Sequence, residues 1–355
     1  MTFYFWFLFQ LCITSPNSVL QPPCLKGCDC HSMFKFVNCS SYSFTFIPNA
    51  TPSDTEHLDL SRNNLTTIPD RAFWPLWRLK VLLMNDNNIS HIADGAFSSL
   101  QSLEKLDLSR NKLAALGNRF SIGLNSLREL VLSENKLKAL LSNSLLHLEN
   151  LEKLNIRGNR ISFIENGAFR SMTHLRRLTL QDNNITTLPH GIFSMLPKLE
   201  VLNLQSNQIN STDIGVFTSL TSLSLLNLVH NHLENIKFKT FLSIQTYGTH
   251  ILLANNPWHC DCDLQRVFRK LQSVQRLILD DYFSMTCTEP PQLKGYRLDD
   301  VDNRLCIGET VAVLIITLTV IVTVVAAIVM AERNRKKSTG KHWSEENDVP
   351  YNSQD

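Results

Sequence analysis

The sequence predicts an α/β solenoid: a curved coil with a parallel β-sheet on its concave face, a disulfide cap at each end and one transmembrane helix. Three observations predict it. Asparagine recurs at a constant interval inside a fixed leucine frame. Eight of the nine cysteines form two sets of four, one on each side of the repeats. A run of 21 uncharged residues, Val311 to Ala331, follows the second set.

The period is carried by Asn63, Asn87, Asn111, Asn135, Asn159, Asn183, Asn207, Asn231 and Asn255. Around each lies the frame L-x-x-L-x-L-x-x-N-x-L, as in Leu103, Leu106, Leu108, Asn111 and Leu113. The x-L-x-L-x piece alternates as a strand does, with its leucines turned inward. The chain must then turn back inside each coil, which buries backbone N–H and C=O groups that need partners. An Asn amide both donates and accepts, so stacked Asn residues can tie neighbouring coils together. Further along each copy, Phe73, Phe97, Leu145, Phe169, Phe193, Phe217 and Phe241 predict a second spine nearer the convex side. Ser121 breaks that row, flanked by Phe120 and Ile122. The frame is worn in the first copy at Thr55 and in the last at Tyr247 and His250. No single coil can bury its apolar face alone, so the coils stack.

This period and frame resemble the leucine-rich repeat family, over about residues 55 to 256. The resemblance implies a horseshoe of about nine repeats with cysteine-rich caps, over 19–54 and 257–306. Four cysteines allow three pairings, so the sequence alone leaves connectivity open. The resemblance implies Cys24–Cys30 and Cys28–Cys39 in the first cap, and Cys260–Cys287 and Cys262–Cys306 in the second. In the second cap, Asp263 is placed to N-cap a helix whose Leu264, Val267, Phe268 and Leu271 share one face. Trp258 is expected to plug the last coil. Zinc is the rival use of a C-x-C cluster, and a secretory leader argues against it.

Phe3 to Ile13 has the length of a signal-peptide core, so residues 1–18 are expected to be a leader. Val311 to Ala331 can cross a bilayer. Arg333, Arg335, Lys336, Lys337 and Lys341 follow, which makes 332–355 a short cytoplasmic tail by the positive-inside rule. The expected localisation is therefore the plasma membrane, as a single-pass type I protein with an extracellular N-terminus. Between Cys306 and Val311 an extended tether would reach about 15–20 Å. The stretch from Ser344 to Asp355 is polar and acidic and is expected to be disordered.

The net charge of +2 and the lack of a basic stripe with aromatics argue against nucleic acid. No G-x-S-x-G, H-E-x-x-H, P-loop or G-x-G-x-x-G occurs, so no enzyme, cofactor, metal site or small-molecule substrate is expected. What remains is recognition. The outward strand positions include Lys105, Arg110, Glu129, Lys153, Arg157 and Arg177, then the more apolar Val201, Leu225 and Val229. These are the candidate partner-binding residues. N-glycosylation sequons stand at Asn49, Asn64, Asn88, Asn184 and Asn210, three of them directly after a ladder Asn.

The overall plan resembles the small leucine-rich-repeat transmembrane proteins of vertebrate cell surfaces. That resemblance implies a receptor-like or adhesion-like protein that binds a protein ligand. The plan is also similar to the gamma subunits of large-conductance potassium channels, though with more repeats. That alternative implies an accessory subunit acting on a membrane-protein partner in the same membrane.

Overall fold

The computed structural model describes residues 24–344 apart from 25, 32, 34, 302 and 303, and side chains except those of 304–310 and 337–344. The expected leader and the acidic end of the tail lie outside the described residues. Twelve strands form one sheet. The first, Asp29–His31, runs antiparallel to Phe36–Asn38. Every later neighbour is parallel, through Leu277–Leu279. The repeat strands are only three or four residues long. Each central residue, from Leu58 to Ile251, is buried while its two neighbours face the concave side.

The asparagine ladder holds these short strands in a coil. Asn159 shows its geometry. Its Nδ2 donates to the Leu132 carbonyl of the preceding coil at 3.0 Å and to its own coil's Ile156 carbonyl at 3.1 Å. Its Oδ1 accepts the Leu137 N–H at 3.0 Å. Both ends of one amide thus serve backbone groups that water cannot reach. The residue just before each ladder position has positive φ: Arg62, Asp86, Arg110, Glu134, Gly158, Asp182, Ser206 and His230. Such backbone is uphill for residues other than glycine, and the ladder bonds on either side hold it in place.

The last copy departs from the expected spacing. Leu226 pairs with Ile251 and not with His250, which the period would set opposite it, because the final coil carries one extra residue. The ladder position is therefore Asn256 and not Asn255. Asn256 Oδ1 accepts the Leu233 N–H at 3.0 Å, and its Nδ2 donates to the Leu228 carbonyl at 3.0 Å. Asn255 is exposed and takes the positive-φ position before it. The shift restores the frame, with Ile251, Leu253, Asn256 and Trp258 in the inward places. Tyr247, read from the sequence as a worn frame residue, is 91% exposed.

The convex spine stacks Phe73 on Phe97 with ring centres 5.9 Å apart. At Ser121 the chain repairs the break with Phe120, which meets Phe97 edge-on at 5.7 Å. The buried Ser121 hydroxyl accepts the His147 N–H at 3.1 Å. Phe169 with Phe193, and Phe217 with Phe241, continue the stack.

Disulfides join Cys24 to Cys30 and Cys28 to Cys39 in the first cap, and Cys260 to Cys287 in the second. Cys262 is also disulfide-bonded. The side chain of Cys306, its expected partner, lies outside the described side chains. The cap helix spans Cys262–Gln272, and its N-cap is Asp261, whose carboxylate accepts the Leu264 N–H at 2.7 Å. Asp263, the expected cap residue, lies inside the helix because the helix starts at Cys262; it pairs with Arg266 at 3.0 Å. Trp258 is fully buried against the edge of Phe268 at 5.5 Å. The Asp281 carboxylate accepts the N–H groups of Leu253 and Ala254 beyond the last repeat strand.

At the other end, Glu56 receives Lys35 and Lys80, both at 2.6 Å, which ties the first cap to the first two repeats. A single helix spans Arg304–Ser344. The stretch from Cys306 to Val311 is helical and rises only about 7–8 Å at about 1.5 Å per residue, well inside the reach of an extended tether. Within it, Val311–Lys336 is long and apolar enough to cross a membrane.

Two outcomes test this description. Asn256→Ala leaves a buried N–H and two carbonyls short of a partner. It should destabilise the repeat domain by about 1–3 kcal/mol in urea denaturation. Asn255→Gly, which keeps the left-handed backbone, should stay within about 0.5 kcal/mol of wild type. If the ladder used Asn255, the order would reverse. The second outcome concerns pH. The hydrogen bonds from Lys35 and then Lys80 hold the Glu56 carboxyl at about 2, against an ordinary value of 4.5. A lowered carboxyl stabilises the fold above its unfolded value and loses that contribution as pH falls through its folded value. Between pH 4.5 and 2, hydrogen exchange in the strand Phe36–Asn38 should quicken more in wild type than in Glu56→Gln, after correction for intrinsic rates.

Candidate binding surface

The strand register brings six of the nine candidate residues into one row. Lys105 lies beside Glu129, Glu129 beside Lys153, Lys153 beside Arg177, Arg177 beside Val201 and Val201 beside Leu225. Neighbouring strands are about 4.8 Å apart, so the row runs about 24 Å across the concave face. Each of these residues holds the first outward place of its strand, directly before the inward leucine. The row is therefore a consequence of a constant repeat length. Arg110, Arg157 and Val229 fall outside it, nearer the turn that carries the ladder. Val229 is half-buried against the core.

The charged part of the row is paired within itself. Glu129 receives Lys105 at 2.8 Å and Lys153 at 3.6 Å. Burial pushes the Glu129 carboxyl up, but hydrogen bonds and charge from the two lysines outweigh it and leave the carboxyl below its ordinary range. Beside the row, Arg110 bridges Asp86 at 3.4 Å and Glu134 at 3.2 Å, and Arg157 meets Asp182 at 2.8 Å. Asp86 and Asp182 escape a reading that counts only strand positions. Both sit directly before a ladder Asn, and that constant offset is the signal that marks them.

Arg177 differs. Among the described residues it has no ion-pair partner, and it is exposed next to Lys153 and Val201. Beyond it the face becomes neutral. Asn203 Nδ2 donates to Gln181 Oε1 at 2.6 Å, and Asn227 Nδ2 to Gln205 Oε1 at 3.1 Å. Val201 and Leu225 stand half-exposed alongside these amide rungs. The face can thus offer one unpaired cation, a short aliphatic strip and a row of amides. That set suits contact with another protein surface. The described residues gather no group of three or more metal-ligating side chains.

Of the sequon residues, Asn49, Asn64, Asn184 and Asn210 are exposed and Asn88 is half-buried. Asn64, Asn88 and Asn184 all follow a ladder position, so they share one edge of the sheet.

The fold defines a class: a disulfide-capped repeat domain joined to a candidate membrane helix. The profile of the leucine rich repeat family matches residues 43–89, 77–137, 126–185 and 173–233, and the chain belongs to that family. Two solved structures share the fold. Human 5T4, also titled Wnt-activated inhibitory factor 1 or trophoblast glycoprotein, is 26% identical with a TM-score of 0.60. That match covers 80% of this chain and 99% of 5T4. A chain of the octameric complex of latrophilin 3, Unc5D and FLRT2, in which FLRT2 supplies the repeats, is 25% identical with a TM-score of 0.57. It covers 78% of this chain and 98% of that one.

Core and face should separate in a mutational test. Glu129→Ala removes exposed ion pairs and should shift stability by less than about 1 kcal/mol. Leu130→Ala, the next residue, empties a fully buried site and should cost about 2–5 kcal/mol by denaturant unfolding.

Proposed function

We propose that this chain is a plasma-membrane recognition protein of type I orientation that binds a protein partner through its concave face, in the stretch from Arg177 to Leu225. The observation that carries this reading is the change along the row. Its first half satisfies its own charges, and its second half leaves Arg177 unpaired beside aliphatic side chains. A partner that sets a carboxylate on Arg177 and apolar side chains over Val201 and Leu225 gains a charge-assisted contact and apolar burial together. The related structures support the class of partner, because FLRT2 is seen in complex with latrophilin 3 and Unc5D, which are proteins. The leader at residues 1–18, the glycosylated sequons and the outward-facing repeats belong to the same reading. The basic residues after the span, Arg333 to Lys341, support a cytoplasmic tail by the positive-inside rule.

One observation favours a second reading, an accessory subunit acting in the same membrane. The helix starts at Arg304 and leaves no extended stalk before the span. Replacing Val311 to Ala331 with an unrelated apolar span separates the two. Activity that survives the exchange removes the accessory-subunit reading.

The primary test uses residues 19–306, secreted and tetramerised, on cells that lack the protein. Saturable, protease-sensitive binding is expected. Arg177→Glu should weaken it by about tenfold or more, about 1.4 kcal/mol of contact. Val201→Glu with Leu225→Glu should abolish it while leaving the melting temperature unchanged. Binding that is indifferent to all three substitutions would move the contact off this face.

A further inference from the structure

The loop that leads out of the first cap, Thr45 to Thr51, faces the convex turn of the first repeat, Thr67 to Leu76. Between them lies a cleft of about 390 Å³. Phe73 belongs to the buried spine. Its neighbour Trp74 must therefore point away from the core, and it is 73% exposed. Phe46, on the facing loop, is 68% exposed. Large aromatic faces left open in a folded domain mark a contact site. Apolar side chains such as Ile47, Leu58 and Leu76 continue the lining, and Asp70 and Arg71 add charged groups to it. Asn49 and Thr51, the first and third residues of the sequon Asn49-Ala50-Thr51, line the same cleft.

We propose that an N-linked glycan on Asn49 folds back into this cleft and covers Trp74 and Phe46. The N-glycosidic bond forms between Asn49 Nδ2 and C1 of the first sugar; the amide loses one proton, and the donor's lipid-linked pyrophosphate leaves. A pyranose ring has an apolar C–H face and a polar rim. The C–H face lies against the electron-rich aromatic face, while the hydroxyl and acetamido groups meet the Asp70 carboxylate and the Arg71 guanidinium. The cleft volume falls in the range of small-ligand sites, about 300–1,000 Å³. The covalent link holds the sugar at high local concentration, so weak stacking suffices. The other sequon residues, Asn64, Asn88, Asn184 and Asn210, do not line the cleft. The glycan on Asn49 would act as a covering for the cap–repeat junction, where an apolar seam otherwise meets water. The proposal rests on the outward-facing reading of the repeats.

The test uses the full-length chain made in mammalian cells and held in detergent. Glycopeptide mass spectrometry reads occupancy at each sequon. Hydroxyl-radical footprinting reads oxidation of Trp74, with Trp77, 55% exposed and outside the cleft, as the internal reference. Asn49 is expected to be occupied and Trp74 protected. Asn49→Gln should raise Trp74 oxidation several-fold relative to Trp77, and Asn64→Gln should leave it unchanged. Should Asn49→Gln fail to reach the surface, enzymatic removal of glycans from the wild-type chain makes the same comparison. A bare Asn49 with Asn184 glycosylated overturns the proposal and leaves the topology standing. So does an occupied Asn49 with Trp74 oxidised equally with and without the sugar. No occupancy at any sequon overturns both the proposal and the outward-facing reading.

Discussion

The stacked asparagine amides are the constraint on which the rest of the structure depends. A coil that turns back on itself once per repeat buries backbone groups that no helix or sheet ladder can serve. Unserved, each would cost about 1–3 kcal/mol, and the cost would recur in every coil. One side chain with a donor and an acceptor meets the need twice over, in its own coil and in the coil before it. The ladder also fixes where the chain takes left-handed backbone, at the residue before each Asn. From that fixed point, strand register, inward leucines and the convex spine all follow.

A solenoid held this way has two open ends, and the ends use different chemistry. At the first, Cys39 occupies an inward place in the cap strand's coil and its carbonyl accepts from Asn63, so the disulfide-bonded cap joins the ladder directly. Glu56 adds an ion-pair clamp from the cap to two repeats. At the second, the extra residue in the last coil lets Trp258 take the inward position that Leu233 fills one coil earlier. A helix then lays Leu264, Phe268 and Leu271 over that end, with Val267 at the margin. Asp281 accepts the Leu253 N–H, whose counterpart one coil earlier, the Leu228 N–H, goes to the Leu252 carbonyl of the next strand. The candidate span follows within a continuous helix from Arg304.

Because the core fixes only the inward positions, the concave face is free to vary from strand to strand while remaining in register. That freedom produces a row of side chains at constant spacing whose chemistry changes along its length. Ion pairs occupy the middle, and exposed pairs of this kind add little stability. They settle the charge of that region and leave Arg177 as the cation of the row without an ion-pair partner among the described residues. One row at constant spacing thus carries a charge-satisfied part and an unsatisfied part.

The sequence by itself determined the repeat, the inward residues and the ladder's chemistry, because a frame of constant period repeats the same local demand at every copy. It also located the apolar span, since length and absence of charge suffice for that. It misread the last copy, where a single inserted residue keeps an Asn at both 255 and 256; only the pairing of Leu226 with Ile251 shows which one is inward. The helix cap at Asp261 in place of Asp263 was likewise decided by where the chain turns after Cys260. Strand positions yielded the candidate row, but not which charges cancel. Asp86 reaches Arg110, and Asp182 reaches Arg157, from the neighbouring coil. Such pairings depend on the distance between side chains on neighbouring coils, and only the stacked coils set that distance.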